Sequence, residues 1–248
     1  MTVDLNLYSD TLGKNVPVRV LYPQRGNSDK PYQVLYLLHG LGDDYTFWTR
    51  RTGIESYIEG RDLVAVMPDG DVSWYCDMPH GRRYFTYITD ELPTQMKRVL
   101  RNLSDKREDT FIGGASMGGY GAFRAAMTYP ERYGKVFAFS GALDIEALLP
   151  WIERSILENA MGPIEEAMKG ETNPYVLATQ LKASGKMSPN FYMWCGYNDF
   201  LYEANVKFKA RLEQLGLPLK YSDGEGAHIW PDWDREIVNV LKWLADRT

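Results

Sequence analysis

Phe111-Ile112-Gly113-Gly114-Ala115-Ser116-Met117-Gly118-Gly119-Tyr120-Gly121 is the stretch on which the rest of the sequence turns. An apolar run ends in glycines, a serine follows, and after two more glycines a helical pattern begins. Gly114-Ala115-Ser116-Met117-Gly118 fits G-x-S-x-G. A serine at a sharp strand-to-helix turn has a strained backbone and a hydroxyl pushed clear of the sheet. Residues two away on either side must be small, because a Cβ there would collide across the turn. The helix that follows aims its N-terminal N–H groups at the place where negative charge would develop. In a chain of 248 residues with 22 glycines, this pattern alone decides little. The flanking segments have to agree with it.

They do so as short buried strands alternating with helices. Val34–Leu38, Leu63–Met67, Val136–Gly141 and Phe191–Gly196 are continuous apolar runs, as expected of strands covered on both faces. Asp109–Gly113 leads into the serine. Pro218–Ser222 reads as a last strand, and Val3–Tyr8 with Val16–Tyr22 as an N-terminal hairpin. Pro23–Pro31 is a polar turn. Helical spacing runs over Tyr87–Leu103, with Pro93 placed near a first turn, and over Tyr120–Tyr129, Glu203–Leu215 and Pro231–Ala245. Shorter helices are expected after Asp43-Asp44 and over Ile54–Glu59. Residues 142–189 interrupt the rhythm with Met-rich amphipathic pieces around Ile145–Leu149, Ile152–Ala160 and Ile164–Met168, broken by Pro150, Pro163, Pro174 and Pro189. The pattern predicts one α/β domain over 1–248, a mostly parallel doubly wound sheet with helices on both faces, and a small cap-like insertion at about 142–189. Sites in such sheets form past the carboxyl ends of strands, where His39, Asp69, Ser116, Gly141 and Asn198-Asp199 all fall.

Composition narrows the function classes. The net charge of −5 argues against nucleic acid as a partner. No stretch is long enough to span a bilayer, and the first residues show no basic region followed by an apolar one, so the expected location is the cytoplasm. The 17 Tyr and 7 Trp suggest a large core, an aromatic-lined cleft, and a surface compatible with a homo-oligomer. Cys76 and Cys195 have no metal-type spacing and nothing pairs them. Neither an H-x-x-x-H pair nor a phosphate loop is present, so no metal and no cofactor is expected.

A serine nucleophile needs a base, and the base needs an orienting acid. The chain has three histidines, His39, His80 and His228. If the order is serine, acid, histidine, only His228 qualifies, in the glycine-rich loop Gly224–Trp230 between the last strand and the last helix. The acid must lie between. Asp199, just after a buried strand, is preferred because it can reach the far nitrogen of a histidine on the next loop; Asp144 is the runner-up, and Asp223 is too close in sequence to His228. An oxyanion needs two N–H donors. Met117, the residue after the serine, supplies one, and Leu41 in His39-Gly40-Leu41-Gly42 the other. Gly40 lets the backbone approach the substrate, and Trp230 is taken as a substrate contact. His39 reads as a structural ring holding that loop. Arg82-Arg83 reads as a solvated pair.

Taken together, Tyr36–Gly40, Gly114–Ala122, Gly196–Leu201 and Gly226–Trp230 resemble the esterase D family of α/β-hydrolases over nearly the whole chain. Arg51–Glu55 and Tyr84–Tyr87 resemble its small bacterial tributyrin-esterase-like branch. Relatives include S-formylglutathione hydrolases, feruloyl and acetyl-xylan esterases, and mycolyltransferases. The resemblance implies the α/β-hydrolase fold and Ser116, His228 and Asp199 as nucleophile, base and acid, with Leu41 and Met117 as oxyanion donors. It implies a serine carboxylesterase acting on short-chain acyl esters such as tributyrin or acetyl, feruloyl or cinnamoyl esters, some on sugars. The formylglutathione branch carries a histidine before its serine. Ala115 stands there instead, which lowers the thioesterase reading. An acyltransferase and a non-catalytic binding protein of the same fold are the remaining alternatives; the second usually lacks a member of the triad, and none is missing.

Overall fold

The computed structural model describes residues 1–24 and 30–246. Most of the polar turn expected over Pro23–Pro31 lies outside the described residues. Eight strands form one sheet: β1 (Thr2–Ser9), β2 (Lys14–Leu21), β3 (Gln33–Leu38), β4 (Leu63–Pro68), β5 (Thr110–Ala115), β6 (Lys135–Phe139), β7 (Asn190–Gly196) and β8 (Leu219–Gly224). Their order is β1-β2-β4-β3-β5-β6-β7-β8. The hairpin β1–β2 is antiparallel, β2 joins β4 antiparallel, and every later pairing is parallel.

The helices are α1 (Phe47–Arg51), α2 (Ile54–Tyr57), α3 (Tyr84–Thr86), α4 (Leu92–Val99), α5 (Met117–Thr128), α6 (Ile145–Leu148), α7 (Arg154–Met161), α8 (Ile164–Ala167), α9 (Pro174–Ser184), α10 (Tyr202–Gln214) and α11 (Trp230–Ala245). Because side chains alternate across a strand, each central strand feeds two cores. Val34, Tyr36, Leu38, Ile112, Val136 and Ala138 pack on one face with residues of α4, α5, α9 and α10. Leu35, Leu37, Phe111, Phe137 and Phe139 pack on the other with Trp48, Ile54 and α11. In α11, Ile237, Val240, Leu241 and Leu244 are buried in one stripe. Each such side chain stabilises by roughly 1.5–3 kcal/mol, so packing rather than helix propensity holds α11. Among the described residues no helix is long and apolar enough to cross a membrane.

Two segments differ from the sequence pattern. The helix expected over Tyr87–Leu103 begins at Tyr84, passes through a π turn at Tyr87–Glu91, and stops at Val99. Pro93 therefore sits inside a helical run, where its missing N–H leaves a carbonyl without its usual donor. Arg132 repairs this: its Nη1 donates to Thr89 O at 2.8 Å. The second difference is α9. Pro174 marks its first turn rather than a break, since Asn173 accepts from Tyr175 N as the N-cap and proline needs no partner there. The helix ends on Gly185 at φ 65°. It packs against α5, and Tyr120 Oη and Arg124 Nε donate to the Thr172 and Glu171 carbonyls just before it.

Candidate active site

β5 ends at Ala115 and α5 begins at Met117, so Ser116 alone makes the turn, at φ 54° and ψ −118°. A side-chain-bearing residue held there costs on the order of 1–3 kcal/mol. Its backbone is tied on both sides. Ser116 N donates to Phe139 O at 2.9 Å, and Ser116 O accepts from Tyr120 N at 3.1 Å and Ala142 N at 3.2 Å. The flanking glycines are required by space. A Cβ on Gly114 would lie 2.5 Å from Leu38 O, and one on Gly118 would lie 2.3 Å from the same oxygen. The turn thus presses on the end of β3 with backbone against backbone.

The loop after β3 crosses directly beside it. A Cβ on Gly40 would come 3.7 Å from Ser116 Cβ. Among the described residues, neither Leu41 N–H nor Met117 N–H donates to a backbone acceptor. His39 fixes this loop from below. It is buried, its Nε2 accepts from Gly70 N at 2.8 Å, and its Nδ1 lies 2.8 Å from Gly40 O. A ring nitrogen that accepts an N–H carries no proton, so the proton is on Nδ1 and goes to Gly40 O. Tyr75 Oη donates to His39 O at 3.0 Å. Trp74 and Tyr75, which back the loop, have φ of 53° and 48°. His80 is exposed.

Asp199 and His228 meet at the ends of β7 and β8. His228 Nδ1 lies 2.9 Å from Asp199 Oδ2 and 3.0 Å from Oδ1. A carboxylate only accepts, so Nδ1 carries the proton and Nε2 keeps its lone pair. Asp199 is buried, and Oδ1 also accepts from Leu201 N at 2.8 Å. Burial would push this carboxyl up, but the bonds from His228, the Ser140 hydroxyl and Leu201 N–H outweigh it and hold the group below the usual carboxylate range. The hydrogen bonds of the His228 ring run to Asp199; among the described residues none joins it to Ser116 Oγ. Such a contact is commonly long before substrate binds.

The rival acids are occupied elsewhere. Asp144 is the N-cap of α6, accepting from Glu146 N at 3.1 Å and Ala147 N at 3.4 Å. Asp223 accepts from Tyr202 Oη at 3.0 Å and Tyr197 Oη at 3.4 Å. Trp230 is half-buried, edge-on to Trp48 at 4.9 Å and Trp233 at 5.1 Å between ring centroids, so it forms part of the core wall behind the site.

Two residues here were not singled out from the sequence. Ser140 follows β6 at φ 47°, and Trp233 Nε1 donates to its Oγ at 3.0 Å. The Ser140 hydroxyl in turn helps to hold the Asp199 carboxyl down. Trp233 also sits edge-on to His228 at 5.0 Å. The sequence pattern placed Ser140 inside the strand Val136–Gly141, whereas β6 ends at Phe139 and leaves Ser140 just past it. Cys76 and Cys195 are both free and buried.

A family model described as Esterase matches residues 9–244. The chain belongs to the Esterase family. This esterase is 28% identical to an acetyl esterase of Caldicellulosiruptor saccharolyticus, across 98% of this chain and 97% of that protein. Its structure resembles the fluorophosphonate-binding serine hydrolase FphF of Staphylococcus aureus, with a TM-score of 0.92 and 34% identity over 99% of this chain and 98% of the other. It also resembles an S-formylglutathione hydrolase of Staphylococcus aureus, with a TM-score of 0.90 and 33% identity over 99% of each chain. The esterase has the α/β-hydrolase fold expected from its sequence, and it is a serine carboxylesterase, a carboxylic ester hydrolase acting on small esters.

Proposed function

We propose that Ser116 is the nucleophile of this esterase, His228 its general base and Asp199 the orienting acid, with Leu41 and Met117 N–H as oxyanion donors. The observation that carries the reading is the His228 Nδ1–Asp199 Oδ2 contact of 2.9 Å. It fixes the tautomer that leaves Nε2 free to take a proton. Ser116 gives its hydroxyl proton to His228 Nε2 as Oγ attacks the ester carbonyl carbon. The carbonyl oxygen becomes an oxyanion, received by the two N–H groups beside it. As the tetrahedral species collapses, the C–O bond to the alcohol breaks and the alcohol leaves with the proton from Nε2. Water then gives a proton to Nε2, its oxygen attacks the acyl-serine, and Ser116 is restored as the acid departs.

The substrates in this reading are short-chain acyl esters, with acetyl, butyryl, feruloyl and sugar-borne acyl groups in its range. Gly40 leaves room for the ester beside Ser116, and Trp230 contributes a wall. Residues 142–189 act as a cap-like segment on a single catalytic domain. The reading extends to a cytoplasmic enzyme, in keeping with its unpaired cysteines, and to a homo-oligomer, in keeping with its aromatic content. Hydrolysis of p-nitrophenyl acetate and butyrate by wild type and Ser116→Ala tests the assignment. The variant should lose at least about 10³-fold in kcat; equal rates would end the reading.

A thioesterase is the second reading, favoured by the formylglutathione hydrolase among the similar structures. Ala115 before the serine weighs against it. Turnover of a thioester and an oxyester of the same acyl group separates the two.

A further inference from the structure

The surface next to His228 is aromatic and open. The Phe200 ring packs against the His228 ring, tilted by 45° with centroids 4.6 Å apart, and the Trp151 ring packs against Phe200, tilted by 44° at 4.9 Å. Trp151 is 61% exposed, Phe200 37%, and Ile229, adjacent to His228 in the chain, 48%. Trp151 and Phe200, in contact with each other and left in water beside His228, with exposed Ile229 next to that histidine in the chain, mark a surface with an occupant. They come from separate segments. Trp151 follows α6, held by its N–H on Leu148 O at 2.9 Å, with Leu148 itself buried. Phe200 follows Asp199 after β7, and Ile229 opens α11. Exposed aromatics in tilted contact with one another and with a candidate general base form a continuous wall beside His228.

We propose that Trp151, Phe200 and Ile229 form the leaving-alcohol subsite, and that it selects apolar, ring-bearing alcohols. The inference rests on Ser116 and His228 having the roles given above. In that arrangement the two halves of an ester are separated by chemistry. The carbonyl oxygen must face the Leu41 and Met117 N–H groups. The alcohol oxygen must face His228 Nε2, which protonates it as it leaves. Whatever the alcohol carries therefore projects from the histidine side. The wall is in contact with His228, through Phe200, whereas the Gly40–Leu41 loop that carries a proposed oxyanion donor lies beside Ser116. Offset aromatic faces reward a planar apolar group more than a hydrated polyol.

The test compares 2-naphthylmethyl acetate with methyl acetate, which share an acyl group and have alkoxide leaving groups of similar basicity. Wild type should favour the naphthylmethyl ester in kcat/KM. In Trp151→Ala that preference should fall about five- to tenfold, carried by KM rather than kcat. Phe200→Leu should shift the preference in the same direction, which keeps the test open if Trp151→Ala fails to fold. The ratio between naphthylmethyl butyrate and acetate should not move in either variant. An unchanged alcohol preference, a shift in the acyl ratio instead, or a wild-type preference for glucose 6-acetate would overturn the proposal. Wild-type rates from Ser116→Ala on both esters would instead overturn the assignment of the nucleophile, so the two failures are distinct.

Discussion

At Asp199 one oxygen is spoken for by the main chain. Oδ1 holds Leu201 N–H at 2.8 Å and is shared with His228 Nδ1 at 3.0 Å, while Oδ2 faces His228 Nδ1 at 2.9 Å. Asp199→Asn would keep its carbonyl oxygen on Leu201 and turn an NH2 group to the imidazole. Two donors cannot face each other, so the ring must move its proton to Nε2, the atom that has to accept from Ser116. On the proposed mechanism kcat should drop about 10³–10⁴-fold while KM moves little, with circular dichroism unchanged. Steady-state kinetics on p-nitrophenyl butyrate check it; a tenfold loss or less would show that Asp199 is not the orienting acid. The pairing of Asp199 with His228 was legible because chain order and strand ends left few candidates among the titratable residues. Ser140 and Trp233 were not, because their bond spans 93 positions and depends on β6 lying between β5 and β7. Trp151 and Phe200 were hidden for the same reason: a ring contact between two loops leaves no periodicity.

Elements were legible where burial sets a period and less so where a single side chain overrides it. The sheet strands emerged as apolar runs. The π turn did not, since the donor that serves its Thr89 carbonyl, Arg132, lies 43 positions away in the chain. α9 was obscured by Pro174, a breaker in an interior and a good first residue at a helix start. The same π turn carries Glu91 to the tip of the hairpin. Glu91 accepts from Ser9 Oγ, from Asp10 N at 2.8 Å and from Thr11 N at 3.1 Å. Partial burial pushes its carboxyl up, but these donors hold it below its ordinary value. Glu91→Gln replaces a charged acceptor with a neutral one and should cost about 1–2 kcal/mol, seen as a lower Tm at neutral pH. A Tm equal to wild type would mean that the hairpin tip is held by packing alone.

Over the whole molecule the carboxylates set the response to acid. Asp4, Asp69, Glu91 and Asp199 are all held below their ordinary values. For Asp4 the main cause is its bond to Arg19; for the others, burial is outweighed by hydrogen bonds. A depressed group contributes stability that is present above its unfolded pKa, near 4, and is lost as pH falls through the folded value. Asp43 has the opposite sign, because burial pushes it up. Four groups outnumber one, so Tm should fall between pH 6 and pH 3, and the fall should be smaller in Glu91→Gln than in wild type. Thermal unfolding followed by circular dichroism at the two pH values checks both; a Tm that rises in acid would contradict the balance of signs.

The turn at Ser116 meets β3 through main-chain atoms, with Leu38 O against Gly114 and Gly118 and the Gly40 backbone beside the serine. No rotamer lies in that contact, so the distance from Ser116 to the Gly40–Leu41 backbone, the proposed nucleophile and oxyanion loop, is governed by covalent geometry and sheet spacing. Replacements at Trp151 or Phe200 can then accumulate over generations without moving it. A lineage built this way is free to exchange one ester for another while inheriting the same reaction centre.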